Sequence, residues 1–173
     1  MRSRAWAAIL AISAGCIGTT PAEELEAEQG DDPTEDGPFH RSGQRCLACH
    51  GADHTPGGEV FILAGTIYRQ AGDTTGLPGA EVEVTDDSGA IVTVTSNRVG
   101  NFMVSVGDGG RQDEGWLGVG RAPAFPLHVV VRYGDDEQEM RNVIHREGSC
   151  AACHDRAGKG AASNGPVFVE KTP

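Results

Sequence analysis

Glu81-Val82-Glu83-Val84-Thr85 alternates polar and apolar residues without a break, and Ile91-Val92-Thr93-Val94-Thr95-Ser96 nearly repeats the pattern. Period-two alternation in β-branched residues marks a strand with one face buried and the other in water. Between the two runs, Asp86-Asp87-Ser88-Gly89 has the composition of a turn: short polar side chains bond their own backbone, and glycine accepts a positive φ. Outward from this hairpin the pattern recurs. Val60-Phe61-Ile62-Leu63 leads into Gly65-Thr66-Ile67-Tyr68, and Phe102-Met103-Val104-Ser105-Val106 follows a second turn over 97–101. Leu127-His128-Val129-Val130-Val131-Arg132-Tyr133 and Glu139-Met140-Arg141-Asn142-Val143 read as a last hairpin around Gly134-Asp135. Short strands at this spacing predict an all-β chain whose centre, residues 58–144, is a β-sandwich.

Gly65-Thr66-Ile67-Tyr68, Leu77-Pro78-Gly79-Ala80-Glu81-Val82-Glu83-Val84, residues 93–97 and Gly100-Asn101-Phe102 together resemble carboxypeptidase regulatory-like domains. The resemblance covers about half the chain. It implies a transthyretin-like (prealbumin-like) sandwich, usually a non-catalytic module of exported proteins. Its residues are mostly turn and core positions, so it bears on fold and hardly on function. Residues 107–126 depart from it as a long glycine-rich insertion carrying Trp116 and Phe125. No Gly-x-x-x-x-Gly-Lys-Ser/Thr run occurs there, so its glycines do not read as a phosphate cradle.

Composition narrows the classes. With 38% hydrophobic residues, 5% aromatics and 25 glycines in 173 residues, the chain is lean for a large core and too glycine-rich for a helical bundle. A net charge of −11 argues against nucleic acid, and the apolar stretch 5–12 is too short to span a bilayer. Arg2 and Arg4, that stretch, and Ser13-Ala14-Gly15 have the layout of an export signal, so 1–15 is set aside as a signal peptide. The run ends in Cys16 and resembles a bacterial lipoprotein signal, with Ser13 where that pattern prefers leucine. The resemblance implies that Cys16 becomes the lipidated first residue, anchoring an exported chain to a bacterial membrane on the periplasmic or cell-surface side. The other reading is a plain signal, with Cys16 removed or left as a stray thiol. Residues 16–38 hold eight acids and no Lys or Arg. Such a segment cannot bury enough surface to offset its ordering entropy and reads as a flexible linker; docking onto a basic partner is the alternative.

The chemistry lies in two short runs. Cys46-Leu47-Ala48-Cys49-His50 and Cys150-Ala151-Ala152-Cys153-His154 both read C-x-x-C-H, the attachment signature of c-type haem. Two thiols at this spacing reach the two vinyl groups on one porphyrin edge, and the adjacent histidine falls beneath the iron as proximal ligand. At this chain's Cys and His frequencies, chance gives about 0.005 copies, so two are not composition noise. Cys46, Cys49, Cys150 and Cys153 are therefore expected to hold two haems covalently, with His50 and His154 as iron ligands, in segments 39–57 and 145–173. Five cysteines then divide into one for lipid and four for haem, leaving no stray thiol in an oxidising compartment. Two alternatives use the same cysteines. A zinc site normally has its second pair 15–20 residues downstream, and here about 100 intervene. Thioredoxin-like dithiols start a helix in a βαβ pattern, which neither flank shows.

His40-Arg41-Ser42-Gly43-Gln44-Arg45-Cys46 aligns with His145-Arg146-Glu147-Gly148-Ser149-Cys150 after one deletion, which suggests one local job done twice. The shared glycine is expected to turn the backbone beside the macrocycle. Arg41 and Arg146 suit propionates or simply the surface. His40 and His145 are the first candidates for distal ligands, with Met140 and His54 in reserve; an iron with no sixth protein ligand also fits. His128, between Leu127 and Val129, reads as a surface histidine. The expected function is a dihaem cytochrome relaying electrons outside the cytoplasmic membrane, a carrier rather than an enzyme, with a redox partner basic at its docking face and no nucleic-acid partner. A surface binding or assembly module with accessory haems, or a zinc-stapled domain, are the alternatives.

Overall fold

The architecture is that of a computed structural model, which describes residues 23–24, 27, 30, 32, 34–51, 59–105, 123–146, 148–154 and 164–170. The expectations for the signal segment 1–15, Cys16, His54, Trp116 and most of the 107–126 insertion lie outside those residues. The described chain is all-β, with strands β1 (Phe61–Tyr68), β2 (Glu81–Asp86), β3 (Ile91–Thr95), β4 (Asn101–Ser105), β5 (Leu127–Tyr133), β6 (Asp136–Glu139) and β7 (Val167–Phe168). They form a three-stranded sheet of order β4-β1-β7 and a four-stranded sheet of order β3-β2-β5-β6. Two single helical turns, α1 (Leu47–His50) and α2 (Cys150–Cys153), carry the cysteine motifs. No helix among the described residues is long and apolar enough to cross a membrane.

The larger sheet obeys the alternation read from sequence. Val82 and Val84 of β2 are fully buried while Glu81 faces water. The antiparallel register sets Val82 and Val84 beside Val94 and Val92 on β3 and beside Val131 and Val129 on β5. This valine layer meets Leu63, Ile67, Phe102 and Val104 of the smaller sheet in one hydrophobic core. On the water side, Arg132 pairs with Glu137 at 2.7 Å and Glu83 at 3.0 Å. Ion pairs on a water-facing surface are screened and contribute little, so packing of the inner face holds the sheets together.

The β2–β3 turn is held by a side chain. Buried Asp86 accepts from the Ser88 and Ala90 amides at 3.0 and 2.9 Å through Oδ1, and from the Ala124 amide at 2.9 Å through Oδ2. The same carboxylate thereby fixes the turn and the chain that leads into β5.

Three features differ from the sequence expectations. β1 is one continuous strand, and every residue of it is buried, because it is the middle strand of its sheet and both its faces are covered. β6 is Asp136–Glu139, not 139–143. The two-residue turn at Gly134-Asp135 pairs Tyr133 with Asp136 and Val130 with Glu139; Met140 keeps one amide hydrogen bond to the Val129 carbonyl, and Arg141 and Asn142 lie beyond the strand. The tail, expected either as an edge strand or as disordered chain, supplies β7 beside β1, with Ile67 opposite Val167 in parallel. The smaller sheet therefore draws its third strand from beyond the 58–144 boundary.

Replacing Asp86 with alanine leaves three amides, those of Ser88, Ala90 and Ala124, without the acceptor of their part-buried hydrogen bonds. We expect a loss of about 3 kcal/mol, read as a lower urea midpoint at unchanged slope.

Candidate functional site

Each C-x-x-C-H motif folds as one helical turn. In the first, the amides of Cys49 and His50 both donate to the Cys46 carbonyl, at 3.2 and 2.9 Å. In the second, the His154 amide donates to the Cys150 carbonyl at 2.7 Å. A turn of this kind puts residues three and four apart on one face, so the first thiol of each motif lies on the same side as the second thiol and as the histidine.

The two histidines share one further arrangement. His50 Nδ1 lies 2.9 Å from the Glu59 carbonyl oxygen, and His154 Nδ1 lies 3.0 Å from that of Gly165. A carbonyl oxygen only accepts, so Nδ1 carries a proton in each ring, and in the neutral ring the lone pair is then on Nε2. This is how a protein sets the tautomer and aim of a metal-ligating histidine. The His50 ring also stacks on Phe61 at 4.5 Å between centroids, which limits its rotation.

Polar side chains hold the first segment against β1. Thr66 Oγ1 donates to Asn101 Oδ1 at 2.7 Å and accepts from the Gly43 amide at 2.8 Å. Asn101 Nδ2 donates to the His40 carbonyl at 2.9 Å, and Asn97 Nδ2 donates to the Pro38 carbonyl. His40 is thus fixed, its Nδ1 paired with the Gly37 carbonyl and its ring 5.8 Å from that of His50. The Arg98 guanidinium covers Phe39 at 3.8 Å. At the end of the acidic run, Asp32 accepts from the Thr34 amide at 2.8 Å and from the Arg41 amide. These bonds, that from Thr34 foremost, hold its carboxyl below the usual range.

Backbone pairing holds the second segment. The Ala64 amide donates to the Gly148 carbonyl at 3.0 Å, and Ser149 bridges Ala64 in parallel. Three residues further along β1, the same edge is taken by β7. The second motif is therefore an excursion between two pairing points roughly 10 Å apart. Two glycines permit it: a Cβ on Gly148 would sit 1.8 Å from the Ile62 carbonyl oxygen, and one on Gly65 would sit 2.6 Å from Cys150 Cβ. The repeated His-Arg-x-Gly stretch thus docks on β1 in both copies, through Gly43 and through Gly148. Gly43, at φ 81°, also turns the backbone there.

Beside the second motif lies a cavity of about 790 Å3, within the range of small-molecule and cofactor sites. Ile67, Phe102, Val129 and Val131 make its apolar wall, and Cys150, Cys153 and His154 stand on its rim with Met140. His145 is exposed and is not among the lining residues. Among the described residues no group of three or more His, Cys, Asp or Glu side chains is gathered as for a bare metal ion.

All four motif cysteines are free thiols. Burial pushes the Cys46 thiol up to about 11 and the Cys150 thiol to about 12, the nearby Cys46 adding to the second shift. Redox-active dithiols need the opposite, a depressed thiol in an electropositive setting, which neither Cys46 nor Cys150 offers.

The acceptor carbonyls of Glu59 and Gly165, the Thr66–Asn101 clip and the place of Met140 had no signal in the sequence, because each is a contact between distant residues. No protein-family model matches the chain, and no curated protein or solved structure matches it. In haem-free protein, Cys46 with a value near 11 is about one-thousandth thiolate at pH 8. Iodoacetamide should therefore label Cys46 and Cys150 slowly, gaining about tenfold per pH unit up to about pH 11 for Cys46, as peptide mapping by mass spectrometry would record.

Proposed function

We propose that this chain is a dihaem c-type cytochrome that relays electrons outside the cytoplasmic membrane, a carrier rather than an enzyme, built on a prealbumin-like sandwich. The observation that carries the reading is the pair of equivalent histidines: in both C-x-x-C-H turns Nδ1–H donates to a backbone carbonyl, leaving Nε2 for a metal. The donor set fits the group. Cys46 and Cys49, and Cys150 and Cys153, project as pairs for thioether attachment, and an apolar cavity adjoins the second pair. Bound haem supplies one-electron exchange at its iron.

The chain's own residues do the rest. His50 and His154 would hold the irons as proximal ligands. His40, whose ring stands 5.8 Å from that of His50, would be the distal ligand at the first site. Both motifs dock on β1, and the Cys46 thiol lies within electrostatic reach of Cys150, which supports two neighbouring carriers in one chain. Lipidation at Cys16 with the acidic 16–38 linker would hold the folded part off a membrane. The net charge of −11 favours a basic redox partner and salt-sensitive association.

The test is export from a host that matures c-type cytochromes, followed by haem staining of a denaturing gel and a pyridine haemochrome assay. We expect haem that survives boiling at two per chain, and one per chain in either the Cys46→Ala/Cys49→Ala or the Cys150→Ala/Cys153→Ala protein. A colourless wild-type protein overturns the reading.

A further inference from the structure

The two motifs share their sequence but not their surroundings. At the first, His40 is tied into the fold through Asn101 and Gly37 and stands beside His50. At the second, the equivalent His145 is exposed and does not line the cavity beside His154. What lines it instead is Met140, partly buried against the core.

Register puts Met140 there. The tight turn at Gly134-Asp135 exhausts the β5–β6 ladder at Glu139, and the Met140 amide then makes one last bond, to the Val129 carbonyl at 3.0 Å. Its backbone is thereby fixed as the chain turns across the cavity mouth before Ile144 rejoins β5 opposite Leu127. Beyond the motif's own Cys150, Cys153 and His154, Met140 carries the single thioether or imidazole donor among the lining residues. A thioether is neutral and soft, so it sits in an apolar wall without an ionic desolvation penalty and suits iron in a haem.

Resting on the dihaem reading, we propose that Met140 supplies the sixth ligand at the Cys150–His154 site, so that a histidine–methionine site pairs with a histidine–histidine site in one chain. A methionine axial ligand raises a haem's potential. The second site is then the higher-potential one, and an electron entering at the first site runs downhill to the second.

The experiment uses haem-loaded protein with three substitutions, Met140→Ala, His145→Ala and Met103→Ala. Haem content is counted first, and two per chain in each variant means that the dihaem reading stands independently of this proposal. Ferric wild-type protein should then show the far-red sulfur-to-iron charge-transfer band. Met140→Ala should lose it and lower one of two potentials by at least a tenfold change in redox equilibrium, about 59 mV for one electron. His145→Ala and Met103→Ala should keep both the band and the potentials. The assignment is overturned if two-haem wild-type protein lacks the band, if Met140→Ala retains it, or if His145→Ala removes it.

Discussion

β1 has one edge taken by β4, and its other edge must find partners. Unpaired amides and carbonyls in a buried strand are costly, and an exposed edge invites pairing with other chains. The chain meets this constraint with its own C-terminal part: Gly148 and Ser149 pair at Ala64, and β7 pairs at Ile67 and Tyr68. The cysteine motif between them is held at both ends by backbone hydrogen bonds. A four-residue helix has no stability of its own in water; α2 exists because the strand needs what flanks it. Gly65 and Gly148 make the approach feasible, since a methyl on either would overlap its neighbour.

The first segment solves the same docking problem by different means. It contributes no strand, so it relies on Thr66 and Asn101, which face one another across β1 and β4 and present their polar ends to Gly43 and His40. Thr66 and Asn101 are buried polar residues, and burial of this kind is tolerated only when the hydrogen bonds are made. The network therefore specifies where residues 38–43 lie. Strand alternation turns Gly65 and Thr66 to opposite faces of β1, so the two motifs approach the strand from different sides. The first bonds the Thr66 side chain through Gly43; in the second, Cys150 packs where Gly65 leaves room for it.

That difference governs what each histidine-containing repeat becomes. His40 and His145 are aligned in the repeat, six and five residues before their cysteines, yet Asn101 anchors one and the other is exposed. The opening left beside His154 is closed by residues from β5, the β6 exit and β7. Equal local sequences thus acquire unequal shells, and shells tune a metal's potential as much as ligands do.

Much was legible in the residues alone. Alternation in β2, β3 and β5 marked strands because a half-buried strand needs no partner's identity to show its period. The Asp86–Gly89 turn was readable for the same reason, its bonds lying within a few residues of one another. The two C-x-x-C-H motifs were readable because each lies in five contiguous positions. Contacts between distant segments were not. Burial of all of β1 erased the period that would have marked its faces, and the β6 boundary depended on a turn length that fixes register by geometry. The role of Gly148, the carbonyls facing His50 and His154, and the place of Met140 depend on which strand lies beside which. The motifs and the alternating strands thus came from the sequence, while tertiary pairing along β1 and β5 decided how the surroundings of two like motifs differ, because contacts between distant segments leave no mark on the residues that make them.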